Sequence, residues 1–187
     1  MSDLTRCFLL AKPLNQLENL QKFVEGASPR PIQSYITKNP SGINWIKIGD
    51  AKDDEMFITS TSEKITTEGA LKSRKVNIGD FILSNSMSFG KPYILKIDGC
   101  VHGGWIIISN YEQYLNPIYF YYELRSNDVQ SQFNESASGT TVRNLNSDLV
   151  RKTLIKFPPL SPKRVCLLRR EGRQIEICRG VVGCRVF

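Results

Sequence analysis

Residues 75–108 read KVNIGDFILSNSMSFGKPYILKIDGCVHGGWIII. Short apolar runs in this stretch are separated by three glycine-containing turns, at Gly79-Asp80, Asp98-Gly99 and Gly103-Gly104. Runs of β-branched and aromatic residues between such turns predict strands, and an Asp-Gly pair between two of them predicts a hairpin. We therefore expect a buried strand after Asp80, a hairpin at Asp98-Gly99, and a further strand over residues 100–108 that the two glycines interrupt.

The same alternation of short runs and turns continues on both sides of this stretch. Upstream, residues 43–50 predict a strand with Trp45 in the core, and Leu14, Leu17, Leu20 and Val24 have the spacing of an amphipathic helix over residues 14–24. Downstream, residues 129–133 favour a helix, a second helix is capped by one of residues 146–148, and residues 153–157 predict a closing strand. Residues 119–124 fit either helix or strand. This pattern predicts an α+β fold with curved, largely antiparallel sheets and a few short helices.

Length and composition agree with one globular domain. The chain has 187 residues, 41% of them hydrophobic, which is enough to build a core. No apolar run reaches the roughly 18 residues of a membrane span. The apolar run near the N-terminus is too short for a signal peptide and follows Asp3. We expect a cytoplasmic protein with no membrane partner.

The net charge of +7 is unevenly distributed along the chain. Residues 161–187 contain seven basic and two acidic side chains, a net charge of +5, which leaves only +2 for the first 160 residues. A basic protein invites a polyanionic partner, but most of this charge belongs to the end of the chain. Bulk charge is therefore weak support for nucleic-acid binding.

The cysteines and the single histidine do not form a recognisable reactive or metal-binding motif. The five cysteines contain no Cys-x-x-Cys pair, so we expect reduced thiols, no zinc site and no cofactor. Cys100 and His102 share one face of the predicted strand, which leaves a small Cys/His hydrolase open as an alternative. No third catalytic group accompanies them, and a packing role is the simpler interpretation for both. The sequence also has no Walker A motif and no methyltransferase motif.

Seven phrases spread over residues 26–159 resemble, in order, one target-recognition domain of a type I restriction-modification specificity (S) subunit. They are Glu25-Gly-Ala-Ser-Pro-Arg-Pro31; Trp45-Ile-Lys-Ile-Gly-Asp50; Ile65-Thr66 with Gly69-Ala70 and Ser73; Gly79-Asp-Phe-Ile-Leu-Ser84 with Ser88-Phe-Gly-Lys-Pro92; Cys100-Val-His-Gly-Gly-Trp105; Tyr119-Phe-Tyr-Tyr122 with Phe133 and Gly139-Thr-Thr141; and Ile155-Lys-Phe-Pro-Pro-Leu160. Each phrase alone is unspecific, whereas seven in family order are specific.

The resemblance implies a non-catalytic module that reads one half-site of double-stranded DNA. Methylation would come from a methyltransferase subunit and cleavage from a restriction/translocase subunit. Base reading and phosphate anchoring need polar and basic side chains on loops. The candidates that lie in such loops are Arg30, Tyr35, Lys72, Arg74, Lys75, Asn85, Ser86, Ser88, Lys91, Thr140, Thr141 and Arg143.

The end of the chain departs from the family pattern. After Leu160, S subunits continue into a long heptad helix that acts as a spacer, whereas residues 161–187 lack heptad spacing and contain three glycines. We therefore divide the chain into a recognition domain, residues 1–160, and an atypical basic tail, residues 161–187, with the spacer helix absent or degenerate. A complete S subunit has two recognition domains, and this chain has room for one. A truncated or degenerate remnant that retains only protein interactions stays open as an alternative.

Overall fold

The structure, a computed structural model, describes residues 12–16, 22–85, 90–111, 115–137 and 145–157. These residues form twelve strands: β1 (Lys12–Gln16), β2 (Lys22–Glu25), β3 (Ile36–Thr37), β4 (Ile43–Ile46), β5 (Phe57–Ile58), β6 (Glu63–Ile65), β7 (Arg74–Val76), β8 (Phe81–Ser84), β9 (Pro92–Leu95), β10 (Gly99–Val101), β11 (Trp105–Ser109) and β12 (Leu154–Phe157). The helices are α1 (Thr67–Leu71), α2 (Pro117–Leu124), α3 (Asn127–Ala137) and α4 (Ser147–Lys152), with 3-10 turns at Ile32–Ser34 and Ile48–Asp50.

A five-stranded central sheet, in the order β2-β11-β8-β9-β5, forms the middle of the fold. Its inner strands carry uninterrupted apolar runs because both of their faces are buried. In β8, Phe81 and Leu83 point to one core cluster and Ile82 points to another. The run of isoleucines in β11 divides in the same way, so the strands of residues 75–108 supply two cores at once.

A second five-stranded sheet, the outer sheet, has the order β3-β6-β4-β10-β7. One of its faces packs on the central sheet through Ile46, Val76 and Val101. On its other face, Trp45 and Cys100 pack with Ala70 of α1. Both sheets are mixed, since β4 with β10 and β5 with β9 are parallel pairs while the remaining pairs are antiparallel. The predicted α+β class, with largely antiparallel sheets and Trp45 in the core, is confirmed.

Three helices cover the free face of the central sheet. The run that fitted either helix or strand is helix α2, which begins after Asn116, whose side chain accepts hydrogen bonds from the backbone N–H groups of residues 118 and 119. Pro117 at the first helical position favours the same start. Helix α3 includes the predicted helical stretch, and Asn146 is the cap of α4, with its Oδ1 atom 2.9 Å from the amide of Leu149. The order of layers is thus α1, outer sheet, central sheet and α2–α4.

The predicted helix over residues 14–24 is wrong within the described residues. Residues 12–16 form β1, which pairs with β12, and residues 22–25 form β2, which pairs with β11. A helix of this length is marginal in water, and pairing with the edge of the central sheet satisfies the backbone while it buries Phe23. Pairing with distant strands therefore outweighs the helical spacing of the leucines in this segment.

Two of the glycine turns connect different sheets, which corrects two further predictions. Asp98-Gly99 is not a hairpin, because β9 belongs to the central sheet and β10 to the outer sheet. Gly99 is needed for close approach instead, since a Cβ atom there would lie 2.6 Å from the carbonyl oxygen of Asn44. Likewise, residues 100–108 are two strands in two sheets, and Gly103-Gly104 is the turn between them. Gly79, with φ +97°, does form the predicted turn before β8.

Within the described ranges, none of the helices has the length and apolar character that crossing a membrane would require.

Candidate nucleic-acid interface

The turn between β10 and β11 is organised by His102. Its Nδ1 atom lies 2.6 Å from the amide nitrogen of Gly104, and its Nε2 atom lies 3.2 Å from that of Ile48. Burial lowers the pKa of the imidazole, with a smaller opposing effect of Asp50, so the ring is neutral at pH 7. A neutral imidazole has one acceptor nitrogen and one N–H group, so only one of these two amides donates a hydrogen bond to the ring in a given tautomer. The expected packing role of His102 is confirmed.

Two glycines allow the neighbouring backbone to approach this turn. A Cβ atom on Gly26 would lie 2.1 Å from the carbonyl oxygen of His102, and one on Gly104 would lie 2.2 Å from the imidazole Cε1 atom. The amide of Gly26 donates to the carbonyl of Trp105 at 2.8 Å. The first loop, residues 26–31, is therefore held directly against the turn at 102–104.

Asn85, which follows β8, joins the same turn through two hydrogen bonds and Leu145 through a third. Its side-chain amide donates to the carbonyl of Gly103 at 2.9 Å, and its backbone N–H donates to that of Gly104 at 3.0 Å. Its own carbonyl accepts from the amide of Leu145 at 2.9 Å. The amide of Gly103 in turn donates to the hydroxyl of Ser28 at 3.1 Å. We refer to Ser28, Gly103, Gly104, Asn85 and Leu145 as the loop latch.

The first loop also contacts the corner between α1 and β7. The hydroxyl of Ser73 donates to the carbonyls of Ala27, at 2.7 Å, and Val101, at 3.1 Å. Beside this corner the ammonium of Lys72 contacts Tyr35, 2.5 Å from its hydroxyl oxygen and 4.7 Å from the ring centroid. Ala27 and Ser28 thus connect two groups of candidate residues, those around Asn85 and those around β7.

Three candidate cations have side chains without an ion pair or hydrogen bond to any described residue: Arg30, Arg74 and Lys75. All three are exposed, and two of them lie on β7, the edge strand of the outer sheet. Their charges are available to an anionic partner. Charged residues also protect edge strands from pairing with other chains, so their position alone does not assign them a ligand.

The remaining described candidates already have partners. Lys91 pairs with Asp53 at 2.7 Å, and Lys72 pairs with Glu68 at 3.1 Å in addition to its contact with Tyr35. These two hydrogen bonds raise the pKa of Lys72, that to Tyr35 most strongly. The side chain of Asn85 is engaged in the latch. The candidates Ser86, Ser88, Thr140, Thr141 and Arg143 lie outside the described residues.

Cys100 and His102 do not form a reactive pair. The sulfur of Cys100 is buried against Ala70, 4.0 Å from its carbonyl oxygen, and burial raises the pKa of the thiol. His102 instead contacts the rings of Trp45 and Trp105, and no hydrogen bond joins the two side chains within the described part of the chain. A nucleophilic Cys must be a thiolate with a base beside it. Here burial favours the protonated thiol of Cys100, and His102 is not hydrogen-bonded to its sulfur.

Sequence reasoning missed the residues that connect the candidate loops. Ser28 and Ser73 occur in the phrases that carried the resemblance, but nothing in their local sequence indicates a long-range hydrogen bond. The glycines were a better signal, because a glycine outside a turn often marks close approach of another backbone segment.

This arrangement of two stacked mixed sheets, with one short helix on the outer sheet and three helices on the central sheet, is the fold of one domain of type I restriction-modification S subunits. The chain is similar to the HsdS subunit from Thermoanaerobacter tengcongensis, with TM-score 0.59 and 15% identity, over 84% of this chain and 38% of that one. It is similar to the type I restriction-modification S subunit from M. genitalium with TM-score 0.50 and 14% identity, over 80% and 35%.

A third similar chain comes from a structure that concerns the complex assembly and conformational transition of the type I R-M system. Here the TM-score is 0.61 and the identity 16%, over 79% of this chain and 34% of that one. The chain thus spans about a third of the length of these neighbours, an extent that fits one domain. No family model matches the sequence.

Proposed function

We propose that this chain recognises one half-site of a specific duplex DNA sequence, as the specificity component of a type I restriction-modification complex. The observation that carries the proposal is the S-subunit fold, found over 79–84% of this chain despite an identity of only 14–16%. The contacts of Asn85 with the turn at 102–104, and of that turn with the first loop, at one end of the central sheet add support. In this proposal the chain performs no chemistry, and residues 1–160 are the recognition domain.

Partners follow from the same proposal. A methyltransferase subunit would methylate the site that this chain selects, and a restriction/translocase subunit would cleave. Co-elution of the purified chain with a methyltransferase subunit tests the first contact. A chain that binds DNA specifically but never co-elutes would retain the recognition role and lose the assembly role, and the basic tail at 161–187 is the first segment to examine in that case.

The recognition role is tested by selection from a library of duplexes with a randomised central region, followed by sequencing. We expect enrichment of one short motif, with an affinity about 10³-fold or more above that for unrelated duplex. Binding of the enriched duplex should weaken steeply with salt, because phosphate contacts release counterions. A protein that binds every duplex equally, or none, contradicts the proposal.

A further inference from the structure

The loop latch lies where three strands of the central sheet end together. Trp105 at the start of β11 pairs with Ser84 at the end of β8, and its carbonyl accepts from Gly26, just after β2. Outside the central sheet, the hydroxyl of Ser73 already links the first loop to Val101. The latch adds direct contacts from Ser28 to Gly103 and from there to Asn85.

The latch also joins two segments that hold candidate base-reading residues. Asn85 immediately precedes residues 86–89, which include Ser86 and Ser88, and Leu145 immediately follows residues 138–144, which include Thr140 and Thr141. The hydrogen bond between the carbonyl of Asn85 and the amide of Leu145 places one end of each segment side by side. Asn85 therefore contacts Leu145 directly and is linked through Gly103 to Ser28 of the first loop.

The energetics of the latch suit positioning better than stability. The side-chain bonds of Asn85 to Gly103 and of Gly103 to Ser28 lie at exposed positions. Such bonds exchange with water and contribute little to the free energy of unfolding. What they do determine is the position of Asn85 and the first loop relative to the turn at 102–104, and base readout depends on such placement, because groove contacts are directional hydrogen bonds.

We propose that Asn85 and Ser28 are specificity-determining positioning residues, which act by holding the first loop, the turn at 102–104 and Leu145 in register without contacting bases themselves. This inference rests on the proposed DNA-recognition function. It assigns a role to the latch bonds of Asn85 and Ser28.

The test compares two latch variants with a matched control. Asn85→Ala and Ser28→Ala each remove one latch bond. Asn44→Ala removes an equivalent bond, from a half-buried asparagine side chain to the carbonyl of Asp98 at 2.8 Å, at the opposite end of β10. For each variant, affinity is measured for the enriched duplex and for an unrelated duplex, together with the urea midpoint of unfolding.

We expect both latch variants to lower the preference for the enriched duplex by about tenfold, comparable to the loss of one base contact. Affinity for unrelated duplex, its salt slope and the urea midpoint should remain near the wild-type values. Ser28→Thr retains the hydroxyl and should retain the preference. A role in stability alone would lower the midpoint and both affinities together.

The outcomes separate the two proposals. If the wild-type chain enriches a motif and Asn85→Ala, Ser28→Ala and Asn44→Ala all keep its preference, the latch inference is wrong and the recognition function stands. If Asn44→Ala loses the preference as strongly as Asn85→Ala, the effect is not specific to the latch and the inference also fails. If the wild-type chain enriches nothing, the recognition function fails, and the positioning role fails with it.

Discussion

Individual side chains in this protein are placed by contacts between segments that are distant in sequence. The ring nitrogens of His102 lie beside the amides of residues 48 and 104, and its carbonyl leaves no room for a side chain at residue 26. The glycines at 26 and 104 are therefore requirements of packing rather than of a turn conformation. This distinction leads to a clear contrast between two glycine substitutions.

Gly26→Ala should destabilise the protein by about 1–3 kcal/mol, because its Cβ atom would overlap the backbone oxygen of His102. Gly49→Ala is the matched control, since no atom lies within 4 Å of the corresponding Cβ position. It should leave stability unchanged or slightly higher through the loss of unfolded-state freedom. Urea denaturation measures both. Equal effects of the two substitutions would contradict the close contact at Gly26.

The chain has one histidine, so its titration can be assigned without ambiguity. Burial lowers the pKa of His102 below its ordinary value of 6.5, so the folded protein resists protonation more than the unfolded chain does. The stability that results is present above pH 6.5 and is lost as the pH falls through the folded-state pKa. We expect the free energy of unfolding to decline below pH 6.5 in the wild type, and the His102→Gln variant to lack this decline.

Glu123 has the opposite effect on the pH dependence of stability, and its contribution must be separated from that of His102. Burial raises the pKa of its carboxyl group, against the hydrogen bond from the amide of Lys156, so protonation at lower pH favours the folded state. Both proteins in the comparison contain Glu123, so the difference between their pH profiles isolates the histidine. Parallel profiles between pH 5 and pH 7.5 would show that His102 does not titrate differently on folding.

Among the secondary-structure elements, β7 combines exposed charge with an edge position. Its backbone pairs with β10 on one side only, and Arg74 and Lys75 have no carboxylate partner among the described residues. A strand of this kind can lie along a phosphate backbone or simply discourage pairing with another chain. Salt dependence distinguishes these roles.

The double variant Arg74→Ala/Lys75→Ala should reduce the salt slope of duplex binding by about 2 if both residues contact phosphates. Its affinity should fall by a similar factor for every duplex sequence, because phosphate contacts carry no sequence information. The control Lys96→Ala/Lys152→Ala removes the same charge from exposed positions after β9 and at the end of α4. A similar loss of slope in both variants would point to net charge rather than to β7.

In the molecule as a whole, layers are stacked around the central sheet. Strands β8 and β11 are covered by the outer sheet on one face and by helices on the other. Every residue of β8 is buried, and so is every residue of β11 except the last. Short strands such as β3, β5 and β7 lie at sheet edges. Stability should therefore decrease from the centre to the edges.

Native-state amide hydrogen exchange should reveal this gradient. The amides of β8 and β11 should exchange only through global unfolding, while those of β3 and β7 should open at lower free energy. The denaturant dependence of exchange measures the surface exposed in each opening. Uniform protection across edge and central strands would contradict the layered arrangement.

The sequence by itself determined the class of fold, several of the strands, among them β4, β8 and β12, and the core position of Trp45, because short apolar runs between turn residues report local burial directly. It also carried the resemblance to S subunits, since that depends on ordered phrases rather than on contacts. The capped helix at residue 146 and the turn at Gly79 were predictable for the same local reason.

Only the tertiary structure decided which sheet each strand joins. The Asp98-Gly99 and Gly103-Gly104 pairs have the composition of turns, but whether such a turn closes a hairpin or crosses between sheets depends on the partners of the strands. Residues 14–24 show the same dependence, because pairing with β11 and β12 outweighs a weak helical pattern. The loop latch could not be predicted either, since Ser28, Asn85 and Leu145 are separated by more than fifty residues and meet only because three strands end together.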